Sequence, residues 1–375
     1  MGILQAWAQT LGAALRDKGV MLMLIIAPML YALYYPWPYA TEVVTRVPVL
    51  IVDLDHTGLS RQIIRLASAS PRLKVLGTVQ EEQIAQQALW RGEIEGYAVL
   101  PAELKRQVVR GQSAVVRIEA NGAYALLNKA VLYGLSEAVG TASAGIEIKK
   151  RQVSGQSTLQ ALASRSPLNL VPEPLFNPTE GYGSFVVPAV AVLIIQQTLL
   201  IGVALFVGSL VEANQHVASV RVWTGRMLAL VSFGGLSGLA FFGWVFVAQG
   251  YPRGANPWGA LVLLMLWLPA VCNIGALLGL WFADRERALQ VLMFTSLPMV
   301  FLAGFSWPAQ ALPEALQTLR WLLPSTAAIQ AALRLNQMGA VLWDVREELM
   351  ILLGLSLASA AWLAAVLMRQ SRNMR

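Results

Sequence analysis

Asp53-Leu54-Asp55-His56 is where this 375-residue chain gathers side chains that could do chemistry. Two carboxylates one residue apart at the end of an apolar run can converge on a divalent cation, which takes several oxygens from one loop. No second acidic cluster and no glycine-rich phosphate loop accompanies them. The plainer role is structural, with Asp55 or Thr57 capping a helix that begins near Ser60. The single cysteine, Cys272, has neither a disulfide partner nor a second thiolate for a metal site, and the two histidines, His56 and His216, lie far apart in sequence. No G-x-x-x-x-G-K-[ST] stretch is present, so the chain carries no phosphate cradle of its own. ATP and magnesium, if they drive it, belong to a partner, and no cofactor is expected in this chain.

The elements that must position such residues are mostly apolar. Hydrophobic residues make up 56% of the chain and charged residues 13%, against about 25% charged in a soluble domain. Charges concentrate between Glu42 and Glu180. This excludes a wholly soluble enzyme and a disordered chain. A helix crosses a bilayer core with about 20 apolar residues, because lipid offers the backbone no hydrogen-bond partner. Six uncharged intervals are long enough: 19–41, 181–211, 227–252, 254–283, 288–313 and 349–368. They predict a first span at 19–41 and five more at about 184–210, 227–248, 257–282, 288–306 and 349–368. The interval 321–333 contains Pro324 and is too short to cross, so 307–333 reads as a re-entrant or interfacial segment. The fold class expected is a membrane all-α bundle of six transmembrane helices, arranged 1 + 5 around an inserted α/β domain, with a re-entrant helical hairpin between spans five and six.

Lys and Arg near the span ends set the orientation. Arg16 and Lys18, Arg221 and Arg226, Arg285 and Arg287, and Arg369, Arg372 and Arg375 fall on one side if there are six spans. That side reads as the cytoplasm, with both termini inside and residues 42–180 outside. Within 42–180 there are 15 basic and 13 acidic residues, so +5 of the net +7 lies in the remainder of the chain. The basic excess suits anionic lipid headgroups at the membrane flanks and not a nucleic-acid surface. Tyr34-Tyr35-Pro36-Trp37-Pro38-Tyr39 resembles an aromatic belt at the end of an uncleaved first span. Within residues 1–18, Ile3, Leu4, Trp7, Leu11, Ala14 and Leu15 recur at helical spacing. They fit either an amphipathic helix on the membrane surface or a plain extension of the first span.

Inside the insert, strands are expected at Val47–Val52, Leu73–Leu76, Tyr97–Leu100 and Ala114–Ile118, with helices at Ser60–Ala69, Glu81–Trp90 and Ala102–Val109. A helical return runs from Ala123 to about Leu162. Pro167, Pro172, Pro174 and Pro178 then mark an extended approach to the second span. The uncharged intervals hold no Asp, Glu, Lys, Arg or His, and Gln196, Gln197 and Asn273 are the polar candidates along a pathway. A proton- or sodium-driven mechanism is therefore poorly supported, since it needs ionisable groups at membrane depth. Driving force must reach the chain from a partner. The candidate contact is the loop after the second span, Glu212, Asn214, Gln215 and His216 running on to Arg221 and Arg226, which is otherwise an ordinary charged turn.

Gly304-Phe305-Ser306-Trp307-Pro308-Ala309-Gln310-Ala311-Leu312-Pro313, followed by Leu319–Pro324, resembles the segment after the fifth span of ABC-2 type transporter permeases. The opening Arg16-Asp17-Lys18-Gly19, the Tyr-Pro-Trp-Pro-Tyr stretch and Val52–His56 with Ser60-Arg61 are similar to the subgroup with a large external domain after span one. The resemblance implies a dimer of identical or related permeases above two separate ATP-binding subunits. It implies coupling through the loop after span two and the N-terminal interfacial helix, and export of amphipathic drugs, lipids or polysaccharides. It also implies a bacterial inner-membrane location and, in this subgroup, often a periplasmic membrane-fusion protein. The loop departs from the E-x-x-x-G-T-like pattern of many relatives, since Glu212–Ser219 has no Gly-Thr pair. In the segment after span five, Trp307, Pro308, Pro313, Trp321 and Pro324 would form a re-entrant gate, broken backbone at membrane depth being tolerated against protein or water. The alternative there is an interfacial loop anchored by its tryptophans. Two rival functions stand beside the exporter permease: a non-transporting membrane scaffold or adaptor whose insert binds a partner, and an enzyme housed in the insert.

Overall fold

In a computed structural model of the chain, residues 1–165, 173–254 and 256–373 are described. Pro167, Pro172 and Arg375 lie outside them. The chain divides into a helical unit, Met1–Glu42 with Pro174–Arg375, and an α/β unit, Val43–Glu173.

The α/β unit is built on a four-stranded sheet. Its elements are β1 (Val47–Asp53), α3 (Gly58–Ala69), β2 (Leu73–Val79), α4 (Glu82–Trp90), β3 (Gly96–Leu100), α5 (Leu104–Val109), β4 (Arg117–Ala120), α6 (Ala125–Val153) and α7 (Thr158–Arg165). The strand order is β2-β1-β3-β4. Strand β1 runs parallel to both neighbours, Val49 facing Gly96 and Val47 facing Leu73, and β4 closes the edge antiparallel to β3. Side chains alternate across a strand, so β1 feeds two cores. Val47, Val49 and Ile51 pack with Leu100, Val131 and Leu135 under α3 and α6, and Val52 packs with Tyr97 and Ala85 under α4. The fourth strand begins at Arg117, three residues later than Ala114, where the sequence suggests it.

The helical unit opens with α1 (Ile3–Arg16) and α2 (Lys18–Tyr39). Pro28 has no N–H to offer Leu24, and the helix accommodates it with one wide turn, Leu22–Ile26, in which the Ala27 N–H reaches back to the Leu22 carbonyl. Next come α8 (Tyr182–Glu212), α9 (Val220–Ala248) and α10 (Pro257–Phe282). Helix α8 is the centre of the bundle and is buried along nearly its whole length. It can be approached closely because α10 offers small residues: a Cβ at Gly279 would lie 2.7 Å from the Ala204 carbonyl oxygen, and one at Gly275 3.0 Å from that of Leu200. This small-xxx-small spacing is how helices approach each other where lipid supplies no hydrophobic driving force.

The segment expected to form a continuous fifth span at 288–306 is instead two helices, α11 (Arg285–Phe294) and α12 (Ser296–Leu302), meeting at Thr295. Pro298 explains the break, because its ring cannot donate to the Phe294 carbonyl four residues back and clashes with it. Among the described residues, five helices are long and apolar enough to cross a membrane: α2, α8, α9, α10 and the last, Leu342–Gln370. Before that last helix the chain forms α13 (Glu314–Leu319) and α14 (Pro324–Ala332). Pro324 opens α14 at its first turn, where the missing N–H costs nothing. A wide turn, Leu333–Gln337, and a short 3-10 turn lead into α15 (Arg346–Asn373).

Candidate functional site: the charged end of the helical unit

Helix α1 is laid along α9 by small residues. Ala6, Thr10 and Ala14 are its buried line. A Cβ at Gly225 of α9 would stand 2.5 Å from the Ile3 carbonyl oxygen and 2.6 Å from the Ala6 Cβ, so only glycine admits this approach. The Trp7 indole N–H donates to the Ser232 hydroxyl at 3.3 Å. Leu4, 81% exposed, and Leu15 point away from this contact. The large apolar residues picked out by spacing therefore divide between the seam (Trp7, Leu11) and the outer face (Leu4, Leu15), and of the buried line Ala14 was singled out by the spacing while Ala6 and Thr10 were not.

Asp17 stands at the corner between α1 and α2. Oδ1 accepts from the Gly19 and Val20 amides at 3.0 and 3.1 Å, capping α2. The same carboxylate receives a fork from Arg285, with Nη2 at 2.8 Å and Nη1 at 3.0 Å. Burial pushes the Asp17 carboxyl up, but the Arg285 fork and the two amides outweigh it, and the group titrates below its ordinary 3.8. Arg285 in turn begins α11, where backbone N–H groups lack helical partners. Its own amide donates to Glu212 Oε1 at 3.1 Å, and Asp284 caps the same turn by accepting from Glu286 and Arg287. Gly208 gives the Arg285 backbone room, since a Cβ there would lie 3.2 Å from the Arg285 Cα. One clasp thus joins the start of α2, the end of α8 and the start of α11.

The loop after α8 is fastened to α9. Asn214 closes the helix in the left-handed conformation (φ 55°), a role asparagine tolerates. The Asn214 and Gln215 amides return to the Val211 and Leu210 carbonyls. The Trp223 indole N–H donates to the His216 carbonyl at 3.0 Å, and Arg226 Nη2 donates to the Gln215 carbonyl at 3.0 Å while its guanidinium lies over the Trp223 ring. Arg221 and Arg226 belong to the first two turns of α9 rather than to a loop, because a helix end can carry charge that a search for uncharged runs leaves out. Arg226 is committed to holding the loop. Arg221 is exposed and has no hydrogen bond or ion pair among the described residues.

The polar residues at depth bridge helices. The Trp267 indole donates to Gln196 Oε1 at 3.2 Å, tying α10 to α8. Gln197 Nε2 donates to the Leu292 carbonyl and the Thr295 hydroxyl, the groups at the α11/α12 break. Asn273 Nδ2 donates to the Ser356 carbonyl of α15. The residues of the 307–333 segment separate by burial. Trp307, Pro308 and Pro313 are exposed, Trp321 is half-buried beneath the Arg320 guanidinium, and Pro324 is buried with nearly all of α14. Gln330 donates to the Ala303 carbonyl at 2.9 Å, tying α14 to the end of α12.

In the α/β unit, Asp53 is occupied by its own turn. Oδ1 accepts from the Asp55 and His56 amides and Oδ2 from the Ser60 hydroxyl. Thr57 caps α3 by accepting from the Leu59 amide, and Asp55 accepts from the Thr57 hydroxyl and the Lys105 amide. These are the capping roles that aspartate and threonine take at a strand-to-helix turn.

The model of the family described as ABC-2 family transporter protein matches residues 18–366. The chain belongs to this family. No curated protein and no solved structure matches the chain. As an ABC-2 family transporter protein it is the membrane part of an ABC transporter, a class whose permeases work with an ATP-binding subunit. The match begins at Lys18, so Asp17 and all of α1 precede the matched residues, and Arg285 and Glu212 fall within them. The Asp17–Arg285 pair joins residues 268 positions apart, and no local pattern signals it. The one clue was the set of basic residues expected on one side, of which Arg285 is a member.

Proposed function

We propose that this ABC-2 family transporter protein is the permease of an ATP-driven exporter of amphipathic molecules, and that the clasp at Asp17, Arg285 and Glu212 passes motion from a separate ATP-binding subunit to the helices. The observation that carries this reading is the convergence of three helix ends on one ionic contact. A push on the loop after α8 cannot be absorbed locally, because Arg226 and Trp223 bind that loop to α9 and Glu212 binds it to α11. Helix α1 adds a lever that follows α9 through Gly225.

In this reading α11 and α12 together make the sixth crossing. With Thr295 between them they cover 18 residues, Arg285 to Leu302, which rise about 27 Å, a little short of a hydrocarbon core of about 30 Å, and the bent chain after Leu302 completes it. The six crossings put both termini and the clasp in the cytoplasm and the α/β unit outside a bacterial inner membrane. The permease works as a dimer with a second copy or a relative, and α14 lines the outer part of the pathway.

Two experiments test the reading. Glu212→Gln in a complex reconstituted with the ATP-binding subunit is expected to leave ATP hydrolysis running while export falls several-fold; export unchanged removes the clasp from coupling, and an ATPase indifferent to the permease favours a scaffold. Single cysteines at the exposed Ser68 and Ser219 test the topology against a quiet background, since native Cys272 is fully buried. Ser68→Cys is expected to label only from outside and Ser219→Cys only from inside, and the reverse pattern overturns the orientation.

A further inference from the structure

Between α9, α10 and α15 lies a groove of about 810 Å³ that the coupling account does not use. Its walls are hydrocarbon: Met227, Leu228 and Val231 from α9, Ala364 and Leu367 from α15, with Asn273 at the floor. The end of the groove nearest the clasp is different. Ser219 and Val220 of the α9 N-terminus line it, Ser219 makes no side-chain capping bond, and the first two N–H groups of α9, those of Val220 and Arg221, lack helical partners. Arg221 is beside Val220 and one turn before Thr224, another lining residue. On the facing helix the lining stripe Ala364 and Met368 continues by four residues to Arg372. Arg221 and Arg372 are both exposed, and neither has an anionic partner among the described residues.

We infer that this groove binds a phospholipid with an anionic headgroup. The apolar walls take acyl chain, and Arg221, Arg372 and the α9 N-terminus take the phosphate. Each part of the groove excludes another occupant. A free phosphate would find hydrocarbon below the rim. A second copy related by two-fold symmetry would bring the same arginines face to face, which like charges oppose. A neutral lipid would leave the cationic rim unanswered. Basic residues at the headgroup level above a gap between membrane helices are the arrangement that selects acidic lipids. The inference rests on α9 and α15 standing in a bilayer and not on the chain being an exporter.

The test uses the full chain in lipid nanodiscs or mild detergent, with retained lipid counted by native mass spectrometry. The probes are phosphatidylglycerol, phosphatidylcholine of the same acyl chains, and glycerol phosphate. Phosphatidylglycerol is expected to bind about tenfold or more tightly than phosphatidylcholine, with glycerol phosphate failing to compete, and Arg221→Gln with Arg372→Gln should erase the preference. Ala364→Trp, which fills the groove and keeps both arginines, should lower binding of both lipids. Equal binding of the two lipids, competition by glycerol phosphate, or a preference that survives the double substitution would each overturn the inference. So would a double variant that keeps its lipid but no longer retains the ATP-binding subunit, because the arginines would then serve protein docking. Circular dichroism on each variant establishes that the helices are intact.

Discussion

The two ends of the helical unit are fastened by different chemistry. At one end, Asp17, Glu212 and Arg285 meet through charge. At the other, Tyr35 meets Tyr39 edge to face and Tyr39 meets Tyr182 at a tilt. There Glu42 caps α8 by accepting from the Ser184 amide and hydroxyl, and Gln337 donates to the Ser184 carbonyl. Gly254 and Gly339 bring their backbones together, with the Gly254 amide donating to the Asn336 carbonyl. This second end also holds one shielded ion pair, Arg334 with Glu348 at 2.9 Å, in which the glutamate is 5% exposed. A partly exposed clasp can be opened by a partner's charge at modest cost, whereas packed rings and a buried ion pair are shielded from a partner's charge. In the proposed mechanism the first end is the one that moves and the second the one that stays closed.

The largest effect should come from the fixed end. Arg334→Met leaves Glu348 buried and unpaired, and thermal unfolding in detergent should show a loss of about 2–3 kcal/mol, below the usual figure for a broken buried pair because Arg334 itself is partly exposed. A loss under half a kcal/mol would mean that water already satisfies Glu348. Next is the seam under α1. Gly225→Leu drives a side chain into the Ile3 backbone and should cost about 1–3 kcal/mol while exposing α1 to protease. Undiminished protection of α1 would refute the close approach.

At the movable end the expected effects are smaller and depend on solution conditions. Asp17→Asn removes the fork and weakens the cap, for about 1–2 kcal/mol at low salt and less at high salt. The Asp17 pKa is lower in the folded chain than its ordinary 3.8, so its contribution is fully present above that value and disappears as pH falls through the lowered pKa. Wild type should therefore lose stability as pH falls below about 3.8 more steeply than Asp17→Asn does; parallel acid limbs would show that the fork contributes nothing. Smallest of all is Gln197→Leu, which removes the bonds from Gln197 to the Leu292 carbonyl and the Thr295 hydroxyl and should cost about 1 kcal/mol or less, read as faster hydrogen exchange around Thr295.

The same contrast separates what the sequence reveals from what it hides. Helix α10 runs Pro257–Phe282, the span read from an uncharged interval with a proline at its head. Strand β1 and helix α4 begin and end within a residue of the expected positions, because hydrophobic period and turn residues are local signals. The break at Thr295 was hidden by counting charges: Pro298 is uncharged, so it passed as part of a span although it ends one helix and begins another. Arg221 and Arg226 were hidden the same way at the start of α9. Gln196, Gln197 and Asn273 stood out as polar, but polarity alone does not separate a side chain that faces a neighbouring helix from one that faces water. The clasp was least legible, since its partners come from three distant parts of the chain and only packing brings them together.

The most direct test of the account is the ratio of ATP hydrolysed to substrate exported in proteoliposomes holding the permease and its ATP-binding subunit. Arg285→Gln removes the fork to Asp17 and keeps the backbone bond to Glu212. The account predicts a ratio several times that of wild type, with the variant still inserted and still bound to the ATPase. A ratio equal to wild type would contradict it.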